Sequence, residues 1–375
     1  AYVFQVVVLL IYFINKINPY IILLSILLSL IQMLPIVSNL VYNINFNHFD
    51  IINTIATPLN FLMFFGLMIN TKTTQEKINT FMKLFLGFAV LACFYNIVEY
   101  WPSIVTLEQI ESTYEVNLKS FFPNRNQFGM FLFLSLVAHH YLVNYYNNNV
   151  LKILIFILQI SNLILTMSRG AILAMTVFYL FLYFQYLKNI KILFSVIALL
   201  STVFYAVFSN NEIYDFIIRN ILRPEMGDTG RSEIWLIGLE VYFKNNLITG
   251  VGYHTGIAMA QNMGLEYDQF HNFFVDTLVR GGILDLLFII SILIFVFQRF
   301  IKKCADKNYK KIYVSSVLGV LALSIFESVG LFSLGFVDTL FTTFFVSIPL
   351  LISNSYNYSK KSGSRLNSDF KGGTV

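Results

Sequence analysis

Residues 21–30 read Ile-Ile-Leu-Leu-Ser-Ile-Leu-Leu-Ser-Leu. Apolar side chains follow one another without the period-two alternation that a half-buried strand or a membrane β-barrel requires. Residues 151–158 behave in the same way. Runs of about 20 such residues recur along the chain, and each is long enough to cross ~30 Å of hydrocarbon as a helix. The chain as a whole agrees: 375 residues, 57% hydrophobic and only 12% charged, with a mean hydropathy of +0.69. Soluble domains are nearer a quarter charged. The fold class expected is all-α: a polytopic transmembrane helical bundle of about 11–12 spans with one long external loop containing short helices.

The spans expected are 1–14, 20–42, 51–69, 80–98, 122–146, 150–167, 169–187, 190–208, 273–298, 312–332 and 334–352. Polar turns such as 15–19, 71–74 and 147–149 separate some of them. Four regions follow. Residues 1–208 hold about eight N-terminal spans, and 209–272 form the long external loop. Residues 273–352 hold three C-terminal spans, and 353–375 are a polar cytoplasmic tail expected to be disordered. The count puts Ala1 outside the cell, which fits one further helix ahead of it. No cleavable signal peptide is visible, so the first membrane helix would serve for targeting.

Charge sets the orientation. One set of alternate loops carries Lys72, Lys77, Lys152, Lys188, Lys191, Arg299, Lys302, Lys303, Lys307, Lys310 and Lys311, with the tail. By the positive-inside rule this set is cytoplasmic and the long loop is outside. The net charge of +5 therefore reports membrane topology and anionic lipid rather than nucleic acid. Tyr141, Tyr145 and Tyr146 read as an interfacial aromatic belt, with His48, His139 and His140 at headgroup level. The two cysteines, Cys93 and Cys304, fall on different faces and are not expected to pair. No Cys/His spacing indicates a metal site, and no cofactor is expected. Walker A, Gly-x-Ser-x-Gly and His-Glu-x-x-His motifs are all missing from the sequence, which argues against ATPase, serine hydrolase and zincin chemistry.

The long loop has a pattern of its own. It runs Gly-Arg-Ser-Glu-Ile-Trp at 230–235, Gly-Val-Gly at 250–252, His-Asn at 271–272 and Gly-Gly at 281–282. Thr229 or Ser232 can cap a helix start. From Ser232 onward, Trp235, Leu239, Tyr242 and Phe243 mark one helical face, and Asn245-Asn246 ends the helix. Gly250 and Gly252 allow close backbone approach or unusual φ angles. Residues 209–270 hold four basic and eight acidic side chains, so an anion site there must be built from a few placed arginines. Arginine's planar fork matches phosphate oxygens and keeps its charge. Arg125, in Pro-Asn-Arg-Asn, and Arg169, in Met-Ser-Arg-Gly, should reach the same outer face. Together these point to a phosphate-bearing lipid headgroup.

Each candidate also has a plainer reading. Arg125 and Arg169 fit residues whose charge snorkels to the interface. Arg231 fits a partner for Asp228 or a cap for its own helix. Arg280 lies four residues after Asp276, the spacing of a helical ion pair, and the structural reading is favoured there. Gly281-Gly282 fits close helix packing better than ligand contact. His254 is weaker than His271 as a functional residue.

The ordered set of motifs resembles the O-antigen ligase/polymerase superfamily, which contains Wzy-type polymerases and lipopolysaccharide O-antigen ligases. It comprises Asn124-Arg125-Asn126, Ser168-Arg169-Gly170, Gly230-Arg231 with Trp235, Gly250 and Gly252, and His271-Asn272 before a glycine pair. It covers roughly residues 120–300. The resemblance implies a multi-pass plasma (inner) membrane glycosyltransferase whose active face is extracytoplasmic. It would act without metal on glycan linked to undecaprenyl pyrophosphate. Donor and acceptor would be lipid-linked glycans, or the acceptor would be lipid A–core in a ligase. A chain-length regulator and a flippase would be further partners beside membrane lipid. His271 and Arg231 are then the expected catalytic pair. Arg169, Arg125, Arg280, Asn272, Gly250, Gly252 and His254 are the expected substrate or pyrophosphate contacts. Histidine has its ordinary pKa close to neutrality and suits a general base for a sugar hydroxyl. Arginine suits the charge that develops as a lipid pyrophosphate departs. A single in-line displacement would invert the anomeric centre.

The chain's wealth of Ile, Asn, Lys and Phe is common in bacteria with one membrane, an associational argument for a polymerase of capsule, exopolysaccharide or O-antigen repeat units. Two other classes stay open at this stage. One is a transporter of the same lipid-linked glycan, which would be expected to carry its charges nearer mid-membrane. The other is a purely structural subunit of the assembly machinery.

Overall fold

The computed structural model describes residues 19–66, 75–101, 118–143, 148–210, 230–304, 306–328, 342–343 and 345–348. These are mostly helical, with no strand among them. We number the helices α1 (Pro19–Val41), α2 (His48–Phe61, continued by one π turn, Leu62–Gly66), α3 (Gln75–Glu99), α4 (Arg125–Tyr141), α5 (Asn149–Leu165), α6 (Arg169–Leu187), α7 (Ile190–Ser209), α8 (Arg231–Lys244), α9 (Tyr253–Asn262), α10 (Phe273–Lys303) and α11 (Lys307–Phe326). Four of them contain segments long and apolar enough to cross a membrane: Pro19–Val41, Glu76–Glu99, Phe273–Lys302 and Lys307–Phe326. The chain is thus an all-α polytopic helical membrane protein.

The helices match nine of the expected spans to within a few residues, with one informative difference. The expected span 312–332 is α11, which starts at Lys307 and stops at Phe326, leaving Glu327 and Ser328 outside the helix. The expected spans 1–14 and most of 334–352, the tail and residues 211–229 lie outside the described residues. The interfacial reading of Tyr141 and His139 is corrected. Both are buried, because α4 is covered on nearly all sides by its neighbours. Cys93 and Cys304 are buried free thiols.

Contacts divide the chain into two compact units. The first comprises Ala1–Thr80, Arg231–Lys310 and Ser324–Val375; the second comprises Phe81–Gly230 and Lys311–Leu323.

In the first unit α1 shows the inversion that lipid imposes. Its exposed side chains are apolar (Leu23, Ile26, Leu27, Leu30), whereas Ser25, Gln32 and Asn39 are buried. Ser25, Ser29, Gln32 and Asn39 recur at near-helical spacing and so share a face. That face binds backbone and side chains that would otherwise lack partners in hydrocarbon. Ser25 Oγ donates to Pro58 O at 3.3 Å and Ser29 Oγ to Thr54 O at 2.8 Å. The second bond has a clear cause. Pro58 has no N–H, so the carbonyl four residues before it, that of Thr54, loses its helical partner. Ser29 replaces it.

A second break lies in α10. Gly282 has φ 65° and ψ −160°, outside the helical region. An unbroken helix would bond Ile283 N to Val279 O and Leu284 N to Arg280 O. Here both pairs are open and all four groups find partners in the 247–252 loop. Val251 N donates to Val279 O (2.9 Å) and Gly252 N to Arg280 O (3.1 Å). Ile283 N donates to Leu247 O (3.1 Å) and Leu284 N to Ile248 O (3.3 Å). Within a membrane each such group left bare costs several kcal/mol. Gly250 makes the seating possible: a Cβ there would lie 2.5 Å from Val279 O and 2.7 Å from Gly282 N.

The segment from Arg231 to Asn272 packs on this frame with its own core. Ile234, Val241, Tyr242, Val251, Ile257, Ala260, Leu265 and Phe270 bury against Val275 and Val279 of α10. The buried stripe of α8 is therefore Ile234, Gly238, Val241 and Tyr242. Trp235 and Leu239 only flank it, and Phe243 is 65% exposed. This corrects the expected face. Gly238 decides it, because a side chain there would collide with Val275 and Phe270. Ser232 lies inside α8 rather than capping it.

In the second unit α4 is the central helix, buried from Phe128 to His139 and at Tyr141, as expected of a helix apolar all round. It packs on α5 and α6. Buried amides tie the neighbours: Asn96 Nδ2 donates to Asn162 Oδ1 (3.0 Å) and Gln159 Nε2 to Ser135 Oγ (2.8 Å).

Candidate functional site

The first unit brings together two residues forty positions apart. Arg231 is the first residue of α8, following Gly230 at φ 73°. His271 ends the loop just before α10. A third residue joins them. Arg231 Nη2 lies 3.0 Å from Glu327 Oε1, and Arg231 Nη1 donates to the carbonyl of Phe326. On the other carboxylate oxygen, Glu327 Oε2 lies 3.8 Å from His271 Nδ1. Glu327 thus stands between the arginine and the histidine, held at the place where α11 ends.

His271 adopts φ 51°, a left-handed conformation that is rare for a residue with a Cβ. The neighbours on either side impose it. Phe270 is fully buried in the loop core. Asn272 is the N-cap of α10, its Oδ1 accepting from Phe274 N (2.9 Å) and Val275 N (3.1 Å). Such strain, of order 1–3 kcal/mol, concentrates at functional positions. The ring is flanked by Tyr267 (centroids 5.9 Å apart) and by the Gln269 amide, 3.3 Å from His271 Nε2.

Arg231, Glu327 and His271 are partly open to solvent, with side chains 17%, 15% and 20% exposed. Two buried nitrogens at this place make no hydrogen bond within the protein: His271 Nδ1 and Trp235 Nε1. Trp235 packs on Phe326 with ring centroids 5.9 Å apart. Buried polar atoms are nearly always partnered in native proteins, so unpartnered ones mark places where a ligand can be met. A cation, a carboxylate, an imidazole and an unpartnered indole N–H make a site that can hold an anion and move a proton.

The other expected contacts are engaged within the fold. Arg280 is buried, and its Nε lies 2.7 Å from Asp285 Oδ2, which also accepts from Gln32 Nε2 at 2.9 Å. The ion pair expected from the spacing to Asp276 gives way to one spanning the Gly282 break, while the Arg280 charge still acts on Asp276. Gly250 seats the loop on α10. Gly252 faces Asp50, whose carboxylate lies 2.5 Å from where a Cβ would stand. Asp50 accepts from His254 N (2.9 Å), Thr255 N (3.0 Å) and Thr255 Oγ1 (2.6 Å), so it satisfies the free start of α9. The His254 ring packs on Phe49 and Tyr253. Burial, then the negative charges of Asp276 and Asp268, hold the Tyr253 phenol well above its ordinary pKa, with Arg280 opposing. It is therefore a neutral hydroxyl.

Arg125 and Arg169 belong to the second unit. Each is the first residue of its helix, α4 or α6. Gly129, one turn into α4, brings these two starts together: a Cβ there would lie 2.9 Å from Ser168 Cβ and 3.0 Å from Ala171 Cβ. Asn124 caps α4 through Gln127 N at 2.9 Å.

Glu327 is the residue that sequence reasoning missed. The signal was available. Within the described residues it sits at the end of an apolar run expected to span 312–332, and an ionisable residue inside such a run is a functional candidate by default. Gln269 and Tyr267 carried no comparable signal. Among the described residues no group of three or more His, Cys, Asp or Glu side chains can hold a metal ion.

Fold and site together define a helical membrane protein with an arginine–carboxylate–histidine cluster at the start of α8 and beside the start of α10. Residues 154–290 match the family model described as O-antigen ligase. This match supports the O-antigen ligase/polymerase superfamily and a function of that general type. It takes in Arg169, Arg231, His271 and Arg280, and leaves out Arg125 and Glu327. No curated protein matches the chain.

Proposed function

We propose that the protein is a membrane glycosyltransferase that polymerises oligosaccharide repeat units carried on undecaprenyl pyrophosphate. The reaction takes place on the outer face of the plasma membrane, needs no metal and inverts the anomeric centre. The observation that carries this reading is the joining of Arg231 and His271 through Glu327. The acceptor hydroxyl attacks the anomeric carbon of the donor sugar. The bond from that carbon to the pyrophosphate oxygen breaks, and the lipid pyrophosphate leaves with the electron pair. Arg231 offsets the charge on that leaving group, an interaction that strengthens as the bond breaks. His271 takes the proton of the attacking hydroxyl. With Nδ1–H facing Glu327, the lone pair is on Nε2, where the Gln269 amide donates until the acceptor hydroxyl replaces it. Glu327 orients the imidazole and stabilises the imidazolium. In the second unit the paired helix starts at Arg125 and Arg169 are proposed to contact phosphate, as helix N-termini favour.

The choice of polymerase rests on the Ile-, Asn-, Lys- and Phe-rich composition. A second reading, a ligase acting on lipid A–core, is favoured by the description of the matching family model. Purified protein is incubated with synthetic undecaprenyl-pyrophosphate repeat units and EDTA, and products are separated by chain length. A ladder that Arg231→Ala abolishes is the expected result. Transfer only when lipid A–core is added makes the protein a ligase. Folded protein that transfers to neither acceptor overturns both readings in favour of transport.

A further inference from the structure

Arg231 and Lys244 mark the two ends of α8. They are thirteen residues apart, about 20 Å at the rise of an α-helix. At the Lys244 end lies a cleft of about 690 Å³ between the close of α8, the loop that follows it and the end of α1. Its size falls within the roughly 300–1,000 Å³ of small-molecule sites. Its lining differs from that of the Arg231 site. Lys244 is paired with Glu240 in the same helix, so the cleft offers little net charge to a phosphate. It offers amides, hydroxyls and an aromatic ring: Asn245, Asn246, Ser38 and Tyr42, beside Leu247 and Ile248.

These groups are held in place before any ligand arrives. Asn246 Nδ2 donates to Ser38 Oγ at 3.0 Å, and its Oδ1 accepts from Ile248 N and Thr249 N. Asn245 Nδ2 donates to Val241 O at 2.6 Å. The Tyr42 side of the cleft is open, since that residue is 67% exposed. Fixed amides with remaining donor and acceptor capacity suit vicinal hydroxyls. An exposed ring flanked by aliphatic side chains suits the C–H face of a sugar. We propose that this cleft is a second carbohydrate-binding site, which holds a neutral stretch of the glycan some 20 Å from the bond being formed. The assignment to the enzyme's own glycan rests on the transfer reaction proposed above. Grip at a distance would keep a growing chain on the protein between additions.

The test uses the full chain in nanodiscs and the surface polysaccharide of the source cell, freed from lipid and pyrophosphate by mild acid. Binding is read by saturation-transfer NMR and calorimetry. Wild type and Arg231→Ala are expected to bind alike. Tyr42→Ala is expected to weaken binding at least about fivefold, while Tyr42→Phe keeps most of it. In the elongation assay Tyr42→Ala should give a shorter ladder with an unchanged rate for the first addition. Binding by Tyr42→Ala equal to wild type overturns the proposal, as does a wild type that elongates lipid-linked units and binds no free glycan. If wild type binds glycan through Tyr42 and transfers nothing, the cleft stands and the reading of the reaction fails.

Discussion

Two arginine–carboxylate pairs in the first unit join the same kinds of side chain and differ in what surrounds them. Arg280 and Asp285 are 6% and 0% exposed, lie 2.7 Å apart, and share a second donor in Gln32. Arg231 and Glu327 are 17% and 15% exposed, lie 3.0 Å apart, and share their carboxylate with a histidine at 3.8 Å. The first pair is closed. Its charges are matched inside the protein, although Asp285 Oδ1 makes no hydrogen bond there. The second is open at one side and has unpartnered nitrogens beside it. Burial, rather than residue type, separates the two arginines.

Removing one partner of each pair breaks the comparison most sharply. Arg280→Ala leaves Asp285 buried and unmatched, which costs about 3–5 kcal/mol. Thermal unfolding in detergent should show a large drop or a failure to yield folded protein. Arg231→Ala leaves Glu327 near solvent and should change stability by about 1 kcal/mol or less. The opposite order in the melting data would mean that the two roles have been exchanged.

Activity should rank the same two residues the other way. Arg231→Ala is expected to lower the rate of transfer by about 10²–10³, the loss seen when one donor to a developing negative charge is removed. The folded fraction should stay close to wild type. A variant that melts like wild type and still transfers at full rate would remove Arg231 from the mechanism.

Gly282→Ala tests what builds the closed pair. Arg280 reaches Asp285, five residues on, across a helix break that only glycine adopts freely at φ 65°. A Cβ would also meet the backbone of Ile248. The expected cost is about 1–3 kcal/mol, read as a lower melting temperature. Amide hydrogen exchange should rise at Ile283 and Leu284, whose N–H groups depend on the loop carbonyls. Unchanged exchange there would show that the loop does not carry the break.

Most helices were legible because lipid leaves few choices. A chain that must satisfy its backbone internally writes each span as an unbroken apolar run. The segment from Arg231 to Asn272 was legible only in part. The Gly-Arg, Gly-x-Gly and His-Asn motifs were visible, yet their division of labour was not. Gly250 and Gly252 matter through contacts with Val279, Gly282 and Asp50, residues from 29 to about 200 positions away. Nothing local encodes such contacts. The buried face of α8 was misread for a related reason. Apolar spacing picked Phe243, whereas the absence of a side chain at Gly238 decides which face can approach Phe270. Glu327 was passed over because it fell inside a run read as a span, and the run stops one residue before it.

The smallest expected effect is also the most discriminating, because it asks whether Glu327 acts on the reaction or only on the fold. Glu327→Gln keeps the length of the side chain and an oxygen that can accept from Arg231. It removes the charge. Two consequences oppose each other. Arg231 is no longer neutralised, so it should hold the donor pyrophosphate at least as well, and KM for the lipid-linked donor should stay level or fall. The imidazolium that forms at His271 loses its counter-charge, so kcat should fall by about tenfold, equivalent to roughly 1.4 kcal/mol. A lower kcat with an unchanged or lower KM is the signature of an interaction made in the transition state and not in substrate binding. If the carboxylate served only to anchor the end of α11, the melting temperature would drop while kcat of the folded fraction stayed at the wild-type value. That outcome would make the Arg231–Glu327 pair structural like Arg280–Asp285 and dissolve the contrast between them.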